Sequence, residues 1–250
     1  IHCHILPGVD DGSQTTEETK AMLQKAWDEG IQIMVATPHY HKQRGKNDIE
    51  LIKKQLLLTR KLAKEVHPKM QICLGMEIYY GEDVPELLKE GRVVSIRKSR
   101  YILVEFSPGD EFQYILNAVR KLQMSGHTVI IAHIERYNCL RKDISNVEYL
   151  REMGAYLQVN TGSITGSYGR SVKKFLREVL KGASGTACRD RRPWLRAAYA
   201  EDAGSIQGSG KALRRRVRRS DLLDRTPNER CFRKMKEIDE YINENEFRKV

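Results

Sequence analysis

The sequence predicts an α/β fold with a parallel sheet, closed or nearly closed into a (β/α) barrel. Three observations predict it. Short apolar strands alternate with amphipathic helices, the pattern of parallel βαβ units. At least six such strand–loop units can be counted along the 250 residues, a length at which an α/β barrel is commonly one domain. Residues able to ligate a metal recur at strand ends, where a barrel gathers its active-site groups at one mouth.

Taken in order, "IHCHILPGVDDG" opens the chain with an H-x-H pair, His2 and His4, on a first strand, followed by Asp10 and Asp11. Two residues apart on a strand, both imidazoles point to one face. "TEETKAMLQKAWDE" (16–29) has helical spacing, with Met22, Leu23 and Trp27 on one side and Gly30 as its stop. "IQIMVATPHY" reads as a buried strand, then a loop carrying His39. A long amphipathic helix spans 48–66. "QICLGMEIYY" is a strand ending near Glu77, and "YILVEF" runs to Glu105. Helix "EFQYILNAVRKLQMSG" leads to strand "TVIIAH", which ends at His133. Helix "NVEYLREMG", strand "AYLQVN", loop "TGSITG" and helix "GRSVKKFLREVL" complete the regular part.

Imidazole nitrogen together with carboxylate oxygen suits Mn, Fe or Zn better than Ca. Any one of these residues alone has an ordinary explanation, such as a buried, hydrogen-bonded histidine. Glu77 and Glu105 do not, because an unpaired charge ending an apolar strand is costly. Their recurrence at successive strand ends points to one metal cluster.

Composition sets further bounds. A hydrophobic fraction of 40% supports a globular core. No apolar run reaches the roughly 18 residues of a membrane helix, and His and Asp interrupt the apolar start where a leader would need continuity. The five cysteines (Cys3, Cys73, Cys139, Cys188 and Cys231) are scattered, odd in number and free of any C-x-x-C pair. That pattern predicts free thiols in a reducing, cytoplasmic setting. The net charge of +11 is regional: residues 182–230 hold twelve Lys and Arg against six Asp and Glu, a net of +6. Within them "RRRVRR" lacks the interleaved aromatics of a nucleic-acid surface and reads as a solvated charge run.

The segments "IHCHILPGVDDG", "ATPHY", "GMEIYYG", "LVEFS", "IAHIERY" and "TGSITG", covering about residues 1–181, resemble the PHP (polymerase and histidinol phosphatase) superfamily. The closest likeness is to its capsule and exopolysaccharide branch, the manganese-dependent protein tyrosine phosphatases. The resemblance implies a distorted, TIM-like (β/α)7 barrel filling residues 1–250 as one domain, with a centre of up to three ions. The ions would be manganese, with iron, zinc or magnesium as alternatives. It implies His2, His4, Asp11, His39, Glu77, Glu105 and His133 as ligands and Arg136 as the phosphate contact. The implied reaction is phosphotyrosine hydrolysis by metal-activated water. The implied partner is the tyrosine-bearing tail of a bacterial polysaccharide-export kinase. A small-molecule phosphatase of the histidinol phosphate type, or an impaired phosphopeptide-binding scaffold, are the alternatives.

One departure stands out. The family ends its last strand with an Asp-x-His ligand pair, whereas this chain has no histidine after His133. The neighbourhood holds "GTACRDRRP" instead, inside an aberrant basic segment over 182–230. Three readings stay open: a reading-frame disruption resolved near Thr226, divergence to a form with fewer ions, or a new basic binding segment. Beyond it "CFRKMKEIDEYINENEF" is helix-like. A smaller departure is Ile134, where the branch usually has proline.

Overall fold

The computed structural model describes residues 1–41 and 49–185. Among them the elements run α1 (Thr16–Asp28), β1 (Ile33–Ala36), β2 (His39–Tyr40), α2 (Ile49–Val66), β3 (Gln71–Leu74), β4 (Glu77–Tyr79), α3 (Val84–Lys89), β5 (Tyr101–Glu105), α4 (Phe112–Met124), β6 (Thr128–Ile131), α5 (Asn138–Lys142), α6 (Ser145–Glu152), β7 (Tyr156–Leu157), α7 (Thr161–Thr165) and α8 (Arg170–Gly185). Single 3-10 turns lie at Ile96–Lys98 and Ile134–Arg136. The tail helix expected after residue 230 and all but the first four residues of the basic segment 182–230 lie outside the described residues.

Every described strand pair is parallel, in a two-stranded sheet β1-β3 and a five-stranded sheet β2-β4-β5-β6-β7. The alternation of apolar side chains sorts them onto two faces. Ile102 and Val104 of β5, with Val129 and Ile131 of β6, join the larger core between sheet and helices. Leu103, Ile130, Val35, Cys73 and Ala132 form a second, separate cluster on the opposite face. Sheets buried on both sides are what near-continuous apolar strands require.

Helix α1 begins as its sequence dictates. The Thr15 side chain accepts from the Glu18 backbone N–H, and Glu18 reaches back to the Gln14 N–H at 2.7 Å, a capping arrangement. Leu23 is fully buried, with Met22 and Trp27 packed beside it. Gly30, at φ +88, turns the chain out of the helix.

The structure corrects the strand assignments near the site. His39 is not on a loop: it opens β2 and pairs with Glu77, which opens β4 rather than ending a strand. The two long apolar runs are each broken once. Pro38 has no N–H for a ladder; its carbonyl accepts from the Glu77 N–H at 3.1 Å, and the Gly75 N–H reaches Ala36 at 2.9 Å. The chain thus jogs between β1 and β2 and between β3 and β4. The first strand expected at His2–His4 is not formed as a regular strand; Cys3 exchanges hydrogen bonds with Thr37, receiving the Thr37 N–H at 2.9 Å and donating to Oγ1 at 2.9 Å. "TGSITG" is not an open loop, since Thr161–Thr165 winds into α7.

Candidate metal centre

The turn after His4 is forced by Gly12. A Cβ there would stand 2.1 Å from the His4 carbonyl oxygen and 2.3 Å from its Cβ, so only glycine lets the chain fold back this tightly. The Ser13 N–H closes the turn onto the His4 carbonyl at 3.0 Å. This brings both aspartates beside the histidines. Asp10 Oδ2 lies 2.8 Å from His4 Nδ1 and accepts from the His39 N–H at 3.1 Å. Asp11, its side chain 80% exposed, has Oδ1 3.3 Å from His39 Nε2.

Glu77 lies at the centre, 1% exposed. Its Oε1 is 2.8 Å from His133 Nε2. Its Oε2 is 2.9 Å from His2 Nε2, 3.1 Å from His4 Nε2 and 3.2 Å from His39 Nδ1, yet none of these meets it with hydrogen-bonding geometry. Glu105 completes the ring, 3.2 Å from His39 Nδ1 and 3.5 Å from His133 Nε2. The structure therefore brings together all seven residues expected as ligands.

Hydrogen-bond logic fixes which nitrogens face inward. The His133 N–H donates to Gln158 Oε1 at 2.7 Å, so that oxygen is an acceptor. Nδ1 of His2, 2.9 Å from the same oxygen, must then carry a proton and leaves Nε2 turned to Glu77. In His4, Nδ1 faces the Asp10 carboxylate, and Nε2 is again the inward atom. Two inward nitrogens 3.1 Å apart, both beside a carboxylate oxygen lacking a hydrogen bond, suit a cation better than a proton. Two ligands on one Zn- or Mg-sized ion sit about 3 Å apart.

Three triads could each hold an ion: His2, His4 and Glu77; His4, Asp11 and His39; His39, Glu77 and Glu105. The mixture of imidazole and carboxylate fits a borderline or hard divalent metal.

The electrostatics follow from this crowding. Burial opposes charge on Glu77, but the imidazoles of His2, His133 and His4 outweigh it and hold the carboxyl well below the usual carboxylate range. Burial likewise opposes charge on His4, yet its hydrogen bond to Asp10 and the Glu77 carboxylate beside it push it up to about 10. Burial also disfavours charge on His39 and His133, and the carboxylates facing them raise both. The Cys3 thiol, between His2 and His4, is pushed up to about 12 by burial, so it is no ready nucleophile.

Arg136 sits exposed on the 3-10 turn three residues past His133. Its charge is felt at the His133 ring, and no ion-pair partner holds it among the described residues. His133 itself adopts φ 30, ψ 58, a left-handed backbone rare for a side chain of this size and typical of functional sites.

Sequence reasoning missed the residues that hold the expected ligands. Asp10, Gln158, Tyr137 and Glu135 are all buried or nearly so. Tyr137 Oη lies 3.4 Å from His133 Nδ1 and accepts from the Phe106 N–H at 3.2 Å. Glu135 accepts from the Asn160 N–H at 3.0 Å and the Ser163 hydroxyl at 2.7 Å, tying the Arg136 turn to α7. Of these only Asp10 carried a visible signal, its place in the paired "DDG".

Comparison with known proteins places this geometry. The profile of the family described as "Capsular polysaccharide synthesis, CpsB/CapC" matches residues 1–187. The chain is 38% identical over 181 residues to the tyrosine-protein phosphatase CpsB of Streptococcus pneumoniae, spanning 72% of each sequence. It is 34% identical over 177 residues to the tyrosine-protein phosphatase YwqE of Bacillus subtilis, spanning 70% of this chain and 69% of that one. The putative tyrosine-protein phosphatase CapC of Staphylococcus aureus is 33% identical over 181 residues, with 72% and 71% spanned. Among solved structures, a chain from the crystal structures of YwqE from Bacillus subtilis and CpsB from Streptococcus pneumoniae, described as unique metal-dependent tyrosine phosphatases, superposes with a TM-score of 0.68. It is 30% identical and covers 73% of this chain and 74% of that chain.

Proposed function

The chain belongs to the CpsB/CapC family of capsular polysaccharide synthesis, and we propose on that premise that it is a metal-dependent protein-tyrosine phosphatase. The observation that carries the reading is Glu77 Oε2, buried among three imidazole nitrogens at 2.9–3.2 Å with no hydrogen bond of its own. His2, His4, Asp11, His39, Glu77, Glu105 and His133 would hold the ions. We assign these as manganese, from the mixed nitrogen and oxygen donors and the resemblance to the manganese-dependent branch.

Bound there, divalent ions supply Lewis acidity toward phosphoryl oxygens and a water acidic enough to act at neutral pH. The protein's own groups do the rest. Arg136 offers a planar fork of donors to the phosphate, a charge-assisted and orienting contact. Gln158 and Asp10 fix the proton positions on His2 and His4. Glu77 and Glu105 offset the positive charge that the imidazoles and Arg136 gather. No cysteine nucleophile is invoked, consistent with the raised Cys3 thiol.

The substrate is a phosphotyrosine on a flexible peptide, the tail of a bacterial tyrosine kinase of polysaccharide export, met in the cytoplasm. No helix among the described residues is long and apolar enough to cross a membrane. The test is direct. Purified protein with Mn hydrolyses p-nitrophenyl phosphate and a phosphotyrosyl peptide in preference to histidinol phosphate, and a chelator abolishes both activities. No turnover at any metal loading refutes the enzyme.

A second reading, a phosphopeptide-binding scaffold, is favoured by one fact: the chain has no histidine after His133. It would show fewer than three ions per chain, with peptide binding retained and no phosphate released.

A further inference from the structure

Beyond the proposed ligands, β4 carries one more residue of the same parity, Tyr79. Across β2 and β4, His39 is in register with Glu77 and Tyr40 with Ile78. Tyr40 and Ile78 enter the core under the helices, while His39 Nδ1 and Glu77 Oε2 meet in the site at 3.2 Å. Side chains alternate along a strand, so Tyr79, two residues past Glu77 in β4, returns to the ligand side, and His41 directly follows β2. The His41 and Tyr79 rings stack on each other, with centroids 4.3 Å apart and planes 26° from parallel.

The other neighbouring strand gives the same placement. Tyr79 is in register with Glu105, whose carboxylate reaches His39 at 3.2 Å. Two strand residues advance about 6.6 Å, so the stack stands roughly one aromatic ring past the His39–Glu77 pair, at the level of Glu105. Both residues are only partly buried.

A phosphoryl group seated among the ligands must direct its ester oxygen, and the group it carries, away from them. In an aryl ester a flat ring begins at that oxygen and rises to the height of the stack. In an alkyl ester the first atoms are a flexible chain with no π face. The geometry points to the His41–Tyr79 stack as the wall that selects aryl over alkyl phosphomonoesters at this centre. This assignment rests on the phosphatase reading and names the residues that give it tyrosine selectivity. Stacking on an aromatic face adds a modest but specific contribution to burial of the ring.

The test uses non-hydrolysable probes, so that it does not depend on turnover. Benzylphosphonate and ethylphosphonate are titrated into the manganese-loaded full chain, its Tyr79→Leu variant and its Tyr79→Phe variant. The expected result is a preference for benzylphosphonate that falls roughly tenfold in Tyr79→Leu and survives in Tyr79→Phe, which keeps the ring. An unchanged preference in Tyr79→Leu, equal loss of both probes, or failure of wild type to bind either phosphonate overturns the assignment. Turnover of p-nitrophenyl phosphate is followed in parallel. Intact preference without turnover refutes the phosphatase while upholding the wall, and turnover with a preference insensitive to residue 79 does the reverse.

Discussion

Gln158 Oε1 accepts a 2.9 Å hydrogen bond from Nδ1 of His2, 156 residues away in sequence. The same oxygen receives the His133 N–H at 2.7 Å, and the amide N–H of Gln158 is anchored on Asn160 at 3.0 Å. One side chain therefore sets a proton on His2 and braces the left-handed backbone of His133. Gln158→Leu leaves both donors unmet while keeping much of the volume. We expect metal affinity to fall about 10- to 100-fold, read by calorimetric titration with Mn. Unchanged affinity would show that His2 and His133 hold their orientation without Gln158.

Glu77→Gln keeps the shape but removes the charge shared by all the inward nitrogens. The ion content measured by mass spectrometry should drop, with phosphatase activity down more than about 100-fold. A variant that binds its full complement of ions would displace Glu77 from the centre.

Arg136→Ala tests a different link. The residue is exposed and outside the three triads, so metal content should stay at the wild-type value while kcat/KM falls. Arg136→Lys should recover only part, because a point charge lacks the two-pronged fit to phosphate. Equal activity of all three proteins removes Arg136 from substrate binding.

Gly12→Ala forces a methyl group to within 2.1 Å of the His4 carbonyl. Relief requires moving the backbone that carries His4, at a cost of about 2–3 kcal/mol. Thermal denaturation should shift down by roughly 5–10 °C. A Tm equal to wild type would mean the turn opens freely.

Metal removal should be visible in stability as well as activity. Ions that bind only the folded chain stabilise it by about 2.7 kcal/mol at a hundredfold excess over Kd. Chelation should lower the Tm by roughly 5–10 °C, and added Mn should restore it. A Tm indifferent to chelator and metal argues against a site assembled by folding.

Several of the proposed ligands were legible because they mark a change of pattern. Glu77 and Glu105 interrupt apolar strands, and His2 and His4 share a strand parity, so local rules suffice. What holds them was not legible. Gln158 sits in "AYLQVN" as one polar residue among apolar ones, and its task is defined only by His2 and His133, brought near by the fold. The short strands β2 and β4 escaped for another reason: two or three residues are too few to show a period, and Pro38 and Gly75 read as ends rather than as jogs in a continuing ladder. Helix α3 was overlooked although Pro85 lies in its first turn, a placement that favours helix starts.

The separate apolar cluster of Val35, Cys73, Leu103, Ile130 and Ala132 gives the centre a solid floor. Leu103 stands two residues before Glu105 and in register with Glu77, and Ala132 directly precedes His133. Close-packed interiors transmit a change of one methylene to their neighbours. The spacing of the donors, and with it the preferred ionic radius, can therefore be retuned by mutation beneath the site, with every coordinating side chain left as it is.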